Sequence, residues 1–589
     1  MEKARPGTST RRTLVEAARG DRPLDIVIRG GRVVNVYTNE IEIADIGIFG
    51  NRIAVVDWGG TYNLTAPEII DARGMTVVPG FIDCHLHIES SMVTPPNYAK
   101  SVLPFGTTTI VIDPHEIGNV TGKAGVEYML RASEGLPLRT YLTIPSCVPA
   151  VHGIETAGAI FRAADIAEML AWPRVLGVAE LMDYPGIVKQ SETIAAIVEA
   201  GLAAGARLEG HAPLLSGRDL NAYMAAGVDS EHESRDWIEM VEKIRLGMWV
   251  YGRENTFRQS AKDLARAIRE VPEAVNVAMC TDDIDPNDLL ARGHLDRGIR
   301  IMIKEGVRPA HAIRIASLNG AIRYGLHDLG AISPGKLADI VLLESLTDVK
   351  TSMVIADGKV VVRDGKLAVT IADPVPAPVE NTVRIATLTV DDLGIKCDGA
   401  EGDRRVRVIE VDPKRTTSLG EATLPFTKGR LRMPLPDDLV LLSVIPRHGQ
   451  PHKPSVALLR GLGLQRGAIA STVAHDSHNL IVAGKTPEDM LQAAYAIAEM
   501  GGGAVLVAGG EVIARVRLPV AGLMSDQPTE VVGAEVRAFN EAGPSLGLNW
   551  YSNVLCVSSF ALPVAPFIRI TDFGVIDVFT QEFIDLFPG

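Results

Sequence analysis

The chain has 589 residues, a formal net charge of −14 and a sequence pI near 5.5. That length exceeds what one hydrophobic core supports, so several domains are expected, and the acidic balance argues against a nucleic-acid backbone as partner. With 47% hydrophobic and 22% charged residues the composition is that of a soluble globular protein, and no apolar run has membrane-spanning length. The cysteines Cys84, Cys147, Cys280, Cys397 and Cys556 are scattered and form no CxxC pair. Reduced thiols and a cytoplasmic location are therefore expected.

In chain order, residues 1–23 carry basic side chains with no apolar core behind them, so they read as an N-terminal extension and not as a secretion signal. The runs "LDIVIRGGRVVNV" and "ADIGIFGNRIAVV", broken by Gly and Asn, predict hairpins within 24–74. Over 75–327, apolar runs alternate with helical stretches. The strand candidates are "MTVVPGFI", "TTTIVI", "RTYLTI", "RVLGVA", "ARLEG", "AGVDS", "GMWVYG" and "VNVAMC". Eight strands alternating with helices predict an α/β fold, a TIM-type (β/α)8 barrel. An open doubly wound sheet is the alternative, but no GxGxxG turn follows a strand. The β-rich residues 328–371 are expected to return to the segments at 24–74 and complete a discontinuous small β domain. "ADPVPAPVEN", 372–381, reads as a Pro-rich linker. Residues 382–589 read as an additional mixed α/β domain. In it "TPEDMLQAAYAIAEM" predicts a helix capped by Thr486, with Pro487 in its first turn. The glycines at 501–503 read as a helix end, since no Lys-Ser/Thr follows them as in a phosphate loop.

Chemistry concentrates at the strand ends. In "FIDCHLHIESSM", residues 81–92, Asp83, His85, His87 and Glu89 alternate, which in a strand stacks them on one face. Two imidazoles on one rigid edge can reach one cation. Catalytic groups of such barrels come from the carboxyl ends of the strands. There stand Glu180 after the fourth strand, His211 after the fifth, His232 after the sixth, and Asp282 with Asp283 after the eighth. A single strand-end His is more often hydrogen-bonded structure than ligand. His85, His87, Glu180, His211, His232 and Asp282 at one rim together point to a metal site.

The motif "PGFIDCHLH" followed by Glu, His, His and Asp resembles the amidohydrolase superfamily. "HLHIESSM", "DPHEIGNV", "AELMDYPG", "GHAP", "EHE", "CTDD" and "VAHDSHNL" together resemble its bacterial adenine deaminase family, from about residue 25 to the end. The resemblance implies hydrolytic deamination of adenine to hypoxanthine and ammonia, as in purine salvage. It also implies two divalent ions, Mn²⁺ or Fe²⁺, although Zn²⁺ suits the donor types as well. His85, His87 and Asp282 would hold one ion and His211 and His232 the other. Glu180 would bridge them where many relatives use a carboxylated Lys. Asp282, a ligand with a free oxygen, would take a proton from the activated water and pass it to the leaving amine. Glu89 would act as general acid on the purine ring. Glu116, His115, Asp283 and Ser90 are the substrate-binding candidates, with Ser90 and Ser91 as possible caps of the following segment. His475, Asp476 and His478 read as an additional metal site or a cap over the active site, or else as a hydrogen-bonded turn.

One departure stands out: "GRENTFRQ", 252–259, occupies the place where the family is expected to show R-E-G-S. Two other readings remain open. A cyclic-amide hydrolase of the dihydroorotase or hydantoinase kind is disfavoured by Glu180 and "VAHDSHNL". A non-catalytic scaffold is disfavoured because all six ligand positions are filled. The expected partner is a small purine base, with no nucleic acid and no membrane; the C-terminal domain offers a contact surface for a homo-oligomer.

Overall fold

The computed structural model describes residues 8–372 and 381–588, so most of the Pro-rich segment lies outside the described residues. A nine-stranded sheet draws its strands from both flanks of the barrel. Thr76–Pro79 stands at its centre, between Ile26–Asn35 and Ile340–Ser345. The Gly30-Gly31 pair is a bulge and not a hairpin turn. Ile26–Asn35 is one strand whose register slips between Ile28 and Gly31, with Gly30 at φ +69°. The first hairpins lie on either side of Glu40–Phe49.

"MTVVPGFI" is divided between two sheets. Thr76–Pro79 pairs antiparallel with Ile340–Ser345, whereas Phe81–Leu86 opens the barrel beside Thr107–Ile112. Gly80 is the joint, because a Cβ there would lie 2.1 Å from Thr108 Oγ1. Only a residue without a side chain lets the chain leave one sheet and enter the next so closely.

The parallel strands Phe81–Leu86, Thr107–Ile112, Arg139–Ile144, Val175–Leu181 and Arg207–Gly210 form one run, and Ser230–Glu231, Trp249–Arg253 and Val277–Cys280 another. Asp229 N donates to Leu208 O (3.4 Å) at one seam and Asp282 N to His85 O (3.0 Å) at the other, closing an eight-stranded barrel. The sixth strand is only two residues long and starts later than the apolar run, whose first residue, Ala226, caps the preceding helix. Apolar side chains such as Ile110, Leu142, Val178 and Leu208 pack between strands and surrounding helices.

The C-terminal part is a second nine-stranded sheet with the helices Pro487–Met500 and Thr529–Ala542. Thr486 caps the first helix by accepting the Asp489 amide at 3.3 Å, and Gly501 ends it at φ +80°. It docks firmly on the barrel. Asn97 Nδ2 donates to Asp526 O and Gln527 O, Ser101 Oγ to Thr529 Oγ1 (2.7 Å), and Asn479 Nδ2 to Thr156 O (2.8 Å). Some of its apolar residues, among them Met524 and Val536, belong to the same continuous core as the barrel, whereas others, such as Leu441, Leu458 and Met490, form a core of their own. Among the described residues no helix is long and apolar enough to cross a membrane.

Candidate active site

Glu180 leaves the fourth barrel strand at the centre of the site. Its Oε1 faces His85 Nε2 (3.4 Å) and His87 Nε2 (3.1 Å), both from the end of the first strand. Its Oε2 faces His211 Nδ1 (2.7 Å) and His232 Nε2 (3.3 Å), from the fifth and sixth. One carboxylate thus divides four imidazoles into two pairs. Asp282 completes the first pair, with Oδ1 3.5 Å from His85 Nε2 and 3.2 Å from His87 Nε2. The donor set suits divalent cations, and two observations support that fit. His85 Nε2 and His232 Nε2 are buried without a hydrogen-bond partner among the described residues. His87 Nδ1 donates to the Asp113 carbonyl at 2.9 Å, which leaves its Nε2 lone pair turned towards Glu180. Burial pushes the Glu180 carboxyl up, but His85 and His232 more than offset this and hold it well below the ordinary range.

Asp83, the first of the alternating polar residues, lies beneath the site. It accepts from Thr281 Oγ1 (2.6 Å) and from the His85 and Thr281 amides, tying the first strand to the eighth. Burial raises it to about 7. Glu89 departs from the expected strand face. The strand ends at Leu86, and Ile88–Ser91 is a turn of 3₁₀ helix that takes Glu89 off the strand face. Glu89 is 1% exposed, its Oε1 accepts the Ile117 amide at 3.3 Å, and it does not line the cavity.

Asp282 is held more tightly than expected, with only Oδ1, the oxygen facing the histidines, left without a hydrogen-bond donor of its own. Its Oδ2 accepts from Arg253 Nη1 (2.7 Å) and Asn255 Nδ2 (2.9 Å). Arg253 in turn forms a fork with Glu233, its Nη2 standing 3.0 Å from Oε2. Burial raises the Asp282 carboxyl, but Arg253 and the two histidines bring it well below its usual value. "GRENTFRQ" therefore supplies two groups that fix a ligand carboxylate.

Glu116, in the helix His115–Thr121, does line the cavity. Ser90 Oγ lies 3.1 Å from Glu116 Oε1 and 2.5 Å from Asp283 Oδ1, so it links these two carboxyls, whereas Ser91 Oγ turns back to Ile88 O. His115 Nδ1 is 2.9 Å from Asp113 Oδ2. The "VAHDSHNL" loop reaches this wall from the C-terminal domain. His475 Nδ1 is 3.2 Å from Glu116 Oε1, and Asp476 Oδ1 is 3.6 Å from His115 Nε2. Burial lowers the His475 ring, but the Glu116 carboxylate outweighs it and raises it to about 9. Glu116, His475 and His478 are close enough to share an ion. His478 Nδ1, however, accepts the Ala474 amide at 3.2 Å, so the neutral ring keeps its proton on Nε2 and has no lone pair to give. His478 Nε2 is itself buried without a hydrogen-bond partner among the described residues, and His475 and Asp476 of the loop line the cavity.

The cavity measures about 230 Å³, and the barrel builds its inner end. Residues 414–415 and 558–569 of the C-terminal domain build its outer wall. Glu233 and Asp113 sit inside quoted motifs and were readable there. Arg415 and Arg569 carry no local signal, because only the docking of the two domains brings them to the mouth.

Residues 76–361 match the amidohydrolase family, and 414–582 match the adenine deaminase C-terminal domain. An adenine deaminase of Desulfatibacillum aliphaticivorans is 38% identical, covering 98% of this chain and 99% of that one. Adenine deaminase 2 of Rhizobium meliloti (strain 1021) is 41% identical over 97% of this chain and 96% of its own. The chain belongs to the adenine deaminase family. In family terms, the C-terminal match begins at Lys414, so the matched segment is the one that supplies the outer wall and the His475 loop.

Proposed function

We infer that the chain hydrolyses adenine to hypoxanthine and ammonia. The observation that carries this reading is Glu180 dividing two histidine pairs at the floor of a cavity roofed by the family's C-terminal domain. Two divalent ions, Mn²⁺ or Fe²⁺ with Zn²⁺ also suited to the donors, would be held by His85, His87 and Asp282 on one side and His211 and His232 on the other, with the Glu180 carboxylate available to both. When bound, such ions act as Lewis acids and draw the pKa of water towards neutrality.

The protein's own groups move the protons. Asp282 receives the proton of the attacking water at Oδ1, while Arg253 and Asn255 hold Oδ2 and so fix the plane of the carboxylate. The same proton then goes to the departing amine. Addition at C6 builds charge on ring N1, and the Glu116–His475 pair, in place of Glu89, supplies a proton there from the His475 ring while Glu116 holds the counter-charge, and takes one back as the C6 carbonyl forms. Burial, then the adjacent Glu116 charge, raises Glu89 to about 8. Of two neighbouring buried carboxyls only one ionises easily, so a protonated Glu89 leaves the charge on Glu116, where His475 can answer it. Asp283, held by Ser90, accepts a purine N–H, and His115 keeps Asp113 and the cap in line.

The five unpaired cysteines support a reducing compartment such as the cytoplasm. A direct test assays metal-loaded protein with adenine, adenosine and dihydroorotate. Ammonia released from adenine is the expected outcome. Ring opening of dihydroorotate with no ammonia from adenine would replace this reading by the cyclic-amide hydrolase.

A further inference from the structure

The two ends of the cavity carry opposite charge. The inner end is lined by carboxylates, among them Glu180, Asp282 and Glu116, whereas Arg235, Lys414, Arg415 and Arg569 stand on the outer wall. In a chain of net charge −14 that outer group is out of character, and a neutral purine base gives it nothing to bind.

The cations are also uncompensated. Arg569 is 5% exposed. Its Nη1 donates to Thr417 Oγ1 (2.6 Å) and Ile568 O (3.1 Å), both neutral, and its buried Nε has no partner. Arg415 Nη2 donates to Leu555 O and Ser559 Oγ, each at 3.0 Å, while its guanidinium lies 4.6 Å from the Phe257 ring centre. Among the described residues no carboxylate forms an ion pair with Arg415 or Arg569. Burying a guanidinium without a counter-charge is costly. The cost shows in Arg569, which burial and then the nearby Arg415 and Arg235 lower to about 9. Thr417 and the Leu555–Ser559 segment hold the two guanidinium groups in place, so the arrangement is rigid.

We propose that this outer wall is a binding site for a phosphate-type oxyanion, with Arg569 and Arg415 as its donors. Planar guanidinium forks match tetrahedral oxyanions, and such charge-assisted hydrogen bonds are about twice as strong as neutral ones. The wall belongs to the cavity that holds the catalytic groups. The phosphate is therefore either a free ion at the mouth or the phosphate of an adenine nucleotide whose base points inwards. Only the second source rests on the adenine reading.

The test uses metal-loaded full-length protein and inorganic phosphate, followed by titration calorimetry. Saturable binding is expected, weakened about tenfold or more in Arg569→Gln and in Arg415→Gln, and weakened less in Arg569→Lys, which keeps the charge but not the fork. Phosphate resting on the metals would bind equally well to wild type and both Gln variants. That result, or no saturable binding to wild type, overturns the proposal. Melting temperature and metal content verify that each variant is folded, and the second arginine serves if one variant is not. A parallel arm compares adenosine 5′-monophosphate with adenosine as ligands. A preference of about tenfold or more for the monophosphate that collapses in Arg569→Gln assigns the site to a nucleotide. No such preference, with phosphate binding still lost in the variants, assigns it to the free ion. Calorimetry does not depend on turnover, so phosphate binding without ammonia release from adenine would remove the catalytic reading and leave the anion site standing.

Discussion

Glu116 and Glu89 lie side by side, yet only one of them faces the cavity, and their variants should separate cleanly. Glu116→Gln should keep its metals and lose turnover by about 10² to 10⁴, the usual contribution of general acid catalysis, because without the Glu116 charge His475 no longer holds the proton for the ring. Glu89→Gln should lose less than about tenfold, because amide and protonated carboxyl offer similar hydrogen bonds to the Ile117 backbone. Steady-state kinetics with metal analysis checks both, and equal losses would put Glu89 back in the acid's role. The pH profile tests the partner. His475 is raised by Glu116 to about 9, so its charge pair is complete below the ordinary His value and is lost as pH rises through about 9. Turnover should fall on that alkaline side, and the limb should vanish in His475→Gln. At this scale the sequence is legible where chemistry is local. The strand-end histidines stood out because each stands at or just after the end of an apolar run that is a barrel strand. Glu89 was misplaced because the alternation continues in sequence after the backbone has turned at Ile88. Asp282 looked free because its partners, Arg253 and Asn255, come from another strand end.

Elements hold these residues through buried pairs that join strands far apart in sequence. Arg323, at the end of the helix Leu318–Arg323, is almost wholly buried. Its Nη2 donates to Glu209 Oε1 (2.8 Å) and Asp229 Oδ1 (2.6 Å), and its Nε to Tyr251 Oη (2.8 Å). One guanidinium thus ties the fifth and seventh strands and the start of the sixth to the last barrel helix. Removing one partner of such a network leaves a stranded charge, so Arg323→Met should destabilise the protein by about 3–5 kcal/mol in denaturant unfolding. A loss under about 1 kcal/mol would mean that the pair is solvated and dispensable. Alternation of apolar runs and helices made the barrel readable, because each strand is buried on both faces. The two-residue sixth strand and the division of "MTVVPGFI" were not. The first depends on where the preceding helix ends, at Ala226, and the second on which sheet captures the backbone, which Gly80 decides by its missing side chain and not by any period.

At the scale of the whole molecule, the C-terminal domain is part of the site. Its His475 loop closes one wall, and Asn479 anchors that loop to the barrel by donating to Thr156 O while accepting the Arg447 amide. Asn479→Ala should therefore lower kcat/KM with metal content unchanged, because the cap loosens while the ligands stay in place. Loss of metal in that variant would contradict the separation of cap from metal site. The central claim is that Glu180 joins two ions in one centre that deaminates adenine. Metal-stripped protein titrated with Mn²⁺, with bound metal and ammonia release from adenine read at each step, tests it most directly. Activity should rise to a plateau at about two equivalents per chain, and Glu180→Gln should neither hold the pair nor recover turnover. Full activity at one equivalent, or in the stripped protein, would contradict the account.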